Sequence, residues 1–434
     1  MNNINIGIIG LGTVGKGVVN LLKRNSRIIY EKCGISINIK KVSDINIMRM
    51  KELTLNKEIF TTNANEIIND PNIQIVVELI GGTTKAREYI IKALKNGKHI
   101  VTANKALLSC KGDLIFKTAY KYNRFIGFEG SVSGGVPVIK ALRESLLANR
   151  IKRIYGIVNG TTNFILTKME ENFLEFKEAL SLAQKSGFAE ANPEYDIKGI
   201  DAAHKLQILA SFAFNTEVKF KKIYYEGIDK IDLTDIIYVG DLGYRIKLLA
   251  IAKMDKLTHT YECRVHPTIV PLSNPLASVK NEYNAILIEG DATGPQLFYG
   301  KGAGSFPTAS AIVADIVDIA KKIINNDVKL FDRFYKKGDK LKLKEFKNIK
   351  SRYYLRFGTV DKPGVLAKIS GILGKNNISI SSVLQKETGQ KVVPIVMLTH
   401  LAYESDIQHS IKFIDKLDVV KTKTKIIRIE DEIE

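Results

Sequence analysis

The sequence predicts an α/β protein: a doubly wound parallel sheet, a second α+β part, and a smaller C-terminal unit of sheet and helix. Three observations carry that expectation. A strand-like run at residues 4–9 passes directly into Gly10-Leu11-Gly12-Thr13-Val14-Gly15 and then into helix, the fingerprint of a Rossmann-type nucleotide-binding unit in its required setting. Strands and helices of ordinary length then alternate to about residue 128, a pattern that builds a parallel sheet with right-handed crossovers. Residues 353–429 read strand, helix, strand, strand, helix, strand, the order of a ferredoxin-like βαββαβ unit.

At 434 residues the chain has room for two or three domains. The pattern divides it into a nucleotide-binding domain at 1–130, completed by a helix at about 305–325, a second domain at 131–304, a basic linker at 331–351 and a terminal unit at 352–434. Hydrophobic residues make up 45%, enough for a core in each part. No apolar run approaches ~18 residues, so no membrane partner is expected. The opening Met1-Asn2-Asn3-Ile4 lacks the basic and apolar regions of a signal peptide. A formal charge of +19 raises the question of nucleic acid. The lysines are spread over the chain, however, and no nucleic-acid-binding module signature is present, so no such partner is expected. Cys33, Cys110 and Cys263 are far apart and match neither a disulfide framework nor a metal-ligand spacing. A reducing, cytoplasmic setting is therefore expected.

Each glycine of the first turn has a task. The first permits the tight turn, the second lets backbone approach a pyrophosphate, and the third lets helix pack on strand. The following helix offers its free N–H groups to phosphate. Gly10, Leu11, Gly12, Thr13, Val14 and Gly15 are thus candidate cofactor contacts; the alternative is a tight turn with no ligand. The second strand, 35–42, ends at Ser43-Asp44, where an acid would bond a ribose hydroxyl; an ordinary turn residue is the equal alternative. Asp44 lies farther from the glycines than is usual, so a longer helix or an insertion intervenes. Lys40, Lys41 and Arg49 are near enough to suit a 2′-phosphate, and NAD and NADP both stay open. Strands at 73–80 and 99–102 end at Gly81-Gly82-Thr83-Thr84 and Ala103-Asn104-Lys105, with a helix at 85–96 between them. Ligands sit beyond the carboxyl ends of such strands, which marks Thr83 and Lys105; Lys105 as a plain surface lysine is the alternative. A helix at 112–122 and a strand at 125–128 close this part.

Beyond Glu129 the texture changes to small residues, Gly130-Ser131-Val132-Ser133-Gly134-Gly135-Val136-Pro137. Such a loop can offer carbonyls to a cation with Glu129 as a charged ligand; composition alone favours a simple crossover. A helix at 137–148 and a strand at 151–158 follow. Asn159-Gly160-Thr161-Thr162-Asn163 opens a helix with groups suited to capping or to a polar ligand. A helix at 173–185 leads to residues 187–199, a loop holding Glu190, Glu194 and Asp196. The next helix, 201–214, places Asp201, Lys205, Ile208 and Phe212 on one face. A solvated i,i+4 pair is the ordinary reading of Asp201 and Lys205. Their apolar neighbours and the acidic loop favour a partly buried, functional pair.

Strand-like runs recur over 223–290, among them 257–265 and 285–290, and suggest a second, largely antiparallel sheet. The cluster Gly300-Lys301-Gly302-Ala303-Gly304 implies close approach of a ligand or another chain. The amphipathic helix after it, 308–324, can return to cover the first domain. In the terminal unit the expected strands are 353–360, 378–384, 392–399 and 419–429, and the helices 365–375 and 404–417. It holds no nucleophile–base pair and no metal cluster, so it reads as a binding or pairing module.

From end to end the chain resembles homoserine dehydrogenase. The likeness rests on Gly10-Leu11-Gly12-Thr13-Val14-Gly15, Val101-Thr102-Ala103-Asn104-Lys105-Ala106-Leu107, and Val158-Asn159-Gly160-Thr161-Thr162-Asn163-Phe164-Ile165-Leu166. It continues in residues 187–210 and in Gly302-Ala303-Gly304 with Pro307-Thr308-Ala309. Asp361-Lys362-Pro363-Gly364-Val365-Leu366-Ala367 with Asn377-Ile378 is similar to an ACT domain, a small amino-acid-sensing module.

The resemblance implies NAD- or NADP-dependent reduction of L-aspartate 4-semialdehyde to L-homoserine, a step of threonine and methionine synthesis, with 131–304 as catalytic and dimerisation domain. By similarity Lys205 is the acid, Asp201 holds it, and Lys105 supports cofactor or substrate oxygen. Glu190 and Asp196 recognise the substrate's ammonium, and Gly302 joins Thr83 and the glycine turn as a cofactor contact. The resemblance also implies a monovalent cation, Na+ or K+, at Glu129 and the carbonyls of Val132, Gly134 and Val136. An effector such as threonine would sit at Asp361, Gly364, Asn377 and Ile378, and the enzyme would be a homodimer or homotetramer. Two positions depart from the family's habit: Ser43 stands where an Arg is common, and Asn192 where Asp precedes Pro. The first weakens the case for strict NADPH preference.

Overall fold

The computed structural model describes residues 2–53, 55–327, 341–386 and 391–431. The chain opens with β1 (Asn2–Ile9), α1 (Thr13–Cys33), β2 (Ile35–Ser43), α2 (Ile47–Lys51), β3 (Phe60–Thr61) and α3 (Ala64–Asn69). β4 (Ile75–Glu78), α4 (Lys85–Lys95), β5 (His99–Thr102), α5 (Lys105–Lys121) and β6 (Ile126–Gly127) follow. The six strands form one sheet in the order β3-β2-β1-β4-β5-β6, every neighbouring pair parallel. The chain winds outward from β1 through β2 and β3, then returns to β4 and winds the other way. The order reverses between β1 and β4, and that reversal is where ligands of open α/β sheets bind. α1 runs for 21 residues to the left-handed Gly34, which accounts for the distance from the glycine turn to Asp44.

The middle of the chain supplies α6 (Val138–Lys140), β7 (Ile151–Ile157), α7 (Gly160–Asn172), α8 (Phe176–Lys185), α9 (Glu194–Ile197) and α10 (Ile200–Ala213). After them come β8 (Tyr224–Tyr225), α11 (Leu233–Asp241), β9 (Tyr244–Asp255), β10 (Thr260–Pro271), β11 (Tyr283–Gly290), β12 (Gly294–Lys301) and α12 (Ser305–Ile324). The last part holds β13 (Lys342–Leu343), β14 (Lys350–Thr359), α13 (Val365–Lys375), β15 (Ile380–Gln385), β16 (Val393–Thr399), β17 (Ala402–Tyr403), α14 (Glu404–Ile414) and β18 (Lys425–Ile429).

These elements pack as two compact units. The first takes the chain through Gly160, adds Asp201–Lys222, and takes it up again from Tyr283 through α12. Its core joins Ile6 and Ile8 of β1, Val18, Val19 and Leu22 of α1, and Ile312 and Ile316 of α12, all withdrawn from water. β7, β11 and β12 form an antiparallel ladder in the same unit. The second unit holds Thr161–Ile200, Ile223–Glu282 and the chain from Leu341 onward. Here the strands run β9-β10-β18-β14-β16-β15. The stretch β18-β14-β16-β15, with α13 and α14, is the ferredoxin-like unit, whose core includes Tyr353, Leu355, Ile369, Met397 and Ile407. Its edge strand β18 lies parallel on β10, pairing Thr268 with Arg428 and Ile269 with Ile429.

Several expected bounds move. Residues 331–340 of the expected linker lie outside the described residues, and in the rest β13 pairs with β10 at Thr260 and Tyr261. The expected strand 257–265 instead begins at Thr260, because Asp255 Oδ1 accepts from the amides of Leu257 (2.9 Å) and Thr258 (3.3 Å) and closes a turn. The expected helix 137–148 is only Val138–Lys140, running into a π turn at Ala141–Ser145. Gly300 and Lys301 of the glycine cluster belong to β12, and the final strand shortens to Lys425–Ile429.

Candidate active site

The turn after β1 shows why three glycines are needed. Gly10 has φ +105°, and a Cβ there would meet the Leu79 backbone at 2.7 Å. A Cβ on Gly15 would run into the Gly10 carbonyl. Gly12 is different: nothing lies within 4 Å of the place its Cβ would take. Gly12 is also the N-cap of α1 and no side chain caps that end. The first amides of α1 are thus left for an anion. Room for backbone approach and uncapped amides fit a dinucleotide's pyrophosphate.

Asp44 has partners within the protein. Its Oδ2 accepts from the Leu11 amide (2.7 Å) and its Oδ1 from the Asn46 amide (2.8 Å), so the carboxylate ties the glycine turn to the end of β2. Asp44 is buried, and the half-exposed Arg49 brings Nη1 to 3.5 Å from Oδ2. On the far side of the switch point Glu78 ends β4. Its Oε1 accepts from the amides of Ile80 and Gly81, and its Oε2 from the Thr102 hydroxyl at 2.7 Å. Burial raises the Glu78 pKa against those bonds. Thr83 lies exposed in the turn so shaped. Asn104 caps α5 by accepting from the Leu107 amide and donates to the Gly82 carbonyl at 2.7 Å, which fixes Lys105 as the first residue of that helix.

Lys105, Asp201 and Lys205 come together. Lys205 Nζ lies 2.8 Å from Asp201 Oδ2, one turn earlier in α10, and donates to the Val158 carbonyl at 2.6 Å. Lys105 pairs with Asp201 Oδ1. Asn159 Nδ2 donates to Oδ2 at 2.9 Å, a contact foreshadowed only by its place after the β7 run. Asp201 is 1% exposed and Lys205 8%. Burial opposes ionisation of Asp201, but the two ammonium groups outweigh it and hold the carboxyl well below the usual range. The buried reading of the i,i+4 pair is the one the structure supports. Beside it His204 stacks on Phe220 and its Nδ1 lies 2.5 Å from Ser109 Oγ; burial lowers its pKa.

Glu190 and Asp196 belong to the second unit. Glu190 is exposed, with its carbonyl accepting from Gln184 at 3.1 Å, and Asp196 sits in α9. The Glu129 side chain faces α6: its oxygens accept from the amides of Ile139 (2.9 Å) and Lys140 (2.7 Å). The carboxylate expected to face a cation is thus engaged by two amides of its own chain. Carbonyls remain as the donors the loop can offer, with Val132, Gly134 and Val136 buried and Gly134 at φ +41°. Among the described residues no group of three or more His, Cys, Asp or Glu is arranged to hold a metal. Gly302 makes its close approach to Asn284 and to Gly134 of its own chain. In the terminal unit Asp361, Gly364 and Asn377 are exposed at the start of α13 and just after its end, while Ile378 points into the core. No described helix is long and apolar enough to cross a membrane.

Comparison with known proteins shows the family. Residues 10–129 match the NAD-binding domain of homoserine dehydrogenase, 137–317 match homoserine dehydrogenase itself, and 353–417 match the ACT domain. Homoserine dehydrogenase of Neisseria gonorrhoeae is 42% identical over 434 residues, covering 99% of both chains. A crystal structure of the homoserine dehydrogenase from Thiobacillus denitrificans superposes with a TM-score of 0.93 at 42% identity, covering 99% of this chain and 98% of that one. A hyperthermophilic archaeal homoserine dehydrogenase mutant in complex with NADPH aligns at 28% identity and a TM-score of 0.62, covering 74% of this chain and 98% of its own. With full-length relatives at this identity, and with a glycine turn and two lysines on a buried aspartate in one unit, the chain belongs to the homoserine dehydrogenase family of NAD(P)-dependent oxidoreductases and carries a C-terminal ACT domain.

Proposed function

We propose that this enzyme reduces L-aspartate 4-semialdehyde to L-homoserine, reversibly, in threonine and methionine synthesis. The observation that carries the chemistry is the ammonium of Lys205, held by Asp201 and the Val158 carbonyl in a buried place. A bound nicotinamide supplies the hydride for the aldehyde carbon. As that C–H bond forms, the C=O π pair moves onto oxygen, and Lys205 donates the proton that makes the hydroxyl. Lys205 is left neutral and regains its proton from solvent. In the reverse direction the neutral amine takes the hydroxyl proton. Asp201, ionised throughout, orients Lys205 and Lys105 together, and the second ammonium adds positive potential where alkoxide charge grows. Glu190 and Asp196 supply negative charge for the substrate's α-ammonium. Lys205→Ala is expected to lower kcat by about 10² to 10⁴ with the fold intact by circular dichroism. A turnover within about twofold of wild type would remove Lys205 from this role.

Thr83, Lys105, Gly302 and residues 10–15 line the cofactor path in this reading. Because Asp44 is engaged by Leu11 and Asn46 and faced by Arg49, acceptance of NADPH beside NADH is favoured. The carbonyls of Val132, Gly134 and Val136 suit a monovalent cation in a structural role. The same reading divides the chain into nucleotide-binding (1–130 with 305–325), catalytic and dimerisation (131–304) and regulatory (352–434) domains. It makes the enzyme cytoplasmic and at least a dimer. β12 supports pairing: it is an edge strand with Leu297 and Tyr299 exposed. Light scattering that returned a monomer at micromolar concentration would count against this. The regulatory domain would take threonine or a like amino acid, and initial rates with and without threonine test it.

A further inference from the structure

The second unit contains a chain of contacts from the ACT domain to the acidic loop. Arg428 of β18 is 3% exposed and is gripped by Glu404 of α14, with Nε to Oε2 at 2.9 Å and Nη2 to Oε1 at 2.7 Å. The Tyr353 hydroxyl completes that pair at 2.9 Å. The third corner of the guanidinium leaves the module. Arg428 Nη1 donates to Glu226 Oε2 at 3.1 Å, and the Tyr224 hydroxyl donates to the same oxygen at 2.9 Å. Tyr224 and Phe346 stack on each other and lie against the guanidinium, which therefore has one geometry open to it.

The backbone after Glu226 then meets the acidic loop. A Cβ on Gly199, at φ +78°, would stand 3.1 Å from the Glu226 carbonyl, and one on Gly227 would run into the Ile197 carbonyl. The Ile228 amide donates to that carbonyl at 2.9 Å, and Lys198 Nζ donates to Asp229 at 2.8 Å. Residues 226–229 thus brace residues 197–199, which follow Asp196 directly and lead into α10.

We propose that Arg428 and Glu226 are positioning residues: through their contact the ACT domain sets the brace at 226–229 and, with it, the acidic loop that carries Glu190 and Asp196. An effector that shifts β18 against α14 would then change affinity for the amino-acid substrate and leave cofactor affinity alone. The inference rests on the substrate-binding reading of that loop, but its physical part is separable. The pairing of β18 with β10 gives the signal a rigid route, since both partners of the contact stand on the same edge of β10.

The test uses the full-length enzyme with Glu226→Gln, Arg428→Lys and the double variant. Glu226 is partly exposed, so its variant keeps the fold. Amide hydrogen exchange at residues 197–199 and 228 is expected to quicken about tenfold in Glu226→Gln, with β16 unchanged. The KM for aspartate semialdehyde should rise about fivefold while that for the nicotinamide stays within about twofold, and the double variant should be no worse than the worse single one. Unchanged exchange at 197–199, or KM effects that multiply in the double variant, would overturn the proposal. Asp196→Asn is the control: an unaltered substrate KM there sinks the substrate reading, while the exchange experiment still decides whether the brace exists.

Discussion

Asp201 is where the chemistry of single residues is decided. A carboxylate 1% exposed survives because two ammonium groups and an amide meet it, and its removal strands Lys205 in a low-dielectric place. Asp201→Asn should cost about 3 kcal/mol in urea unfolding at pH 7, besides its effect on turnover. The sign of the pH dependence follows from the lowered pKa. Unfolded chains bind the proton first as pH falls, so the stability Asp201 contributes is whole above the ordinary carboxylate value and is lost toward the lower folded one. The gap between wild type and variant should therefore be constant from pH 6 to 8 and shrink below about pH 4. A gap that grew on acidification would contradict the depressed value.

At the scale of elements, the turn between β1 and α1 separates folding from binding within six residues. Gly15→Ala forces a methyl into the Gly10 carbonyl and should destabilise the first unit by about 3 kcal/mol, read as a fall in melting temperature. Gly12→Ala meets no protein atom and should melt with wild type. Its methyl occupies the space left for a pyrophosphate, so the KM for the nicotinamide should rise about tenfold, or ~1.4 kcal/mol. If Gly12→Ala kept its cofactor KM, the phosphate would have to lie elsewhere. In α10 the local pattern supplies only part of the site. Its period placed Asp201 and Lys205 on one face, but that Val158 and Asn159 would complete the set was not readable, since β7 and α10 are some 40 residues apart and meet only in the fold.

For the whole molecule, the ACT domain is built into the sheet of the second unit. β18 covers the edge of β10, and Glu430 beyond it pairs with Arg264, which is 0% exposed, and with Lys253 at 2.7 Å. A chain ended at residue 340 would bare the β10 edge and leave Arg264 without that partner. It should show a lower melting temperature and concentration-dependent aggregation by light scattering. A truncated enzyme as stable and soluble as the full chain would mean that the pairing of β18 with β10 contributes little. The +19 charge belongs to this scale too: its lysines and arginines are spread along the chain, and Arg428, which is buried, is paired with Glu404.

From the sequence alone came the main alternation of strands and helices in the first part, the glycine turn, the ferredoxin-like unit and the residues on one face of α10; the short elements α2, β3, α3, α9 and α11 were not read from it. The features it supplied are local, because periodicity and turn chemistry act over a few residues. The folded chain was needed to see that Asp44 and Glu129 spend their carboxylates on backbone amides, that Val158 and Asn159 meet α10, and that β18 joins β10. Asp44 with Leu11, Val158 and Asn159 with α10, and β18 with β10 unite residues far apart in the chain, and burial, which no single segment can report, fixes which partner a charged group takes.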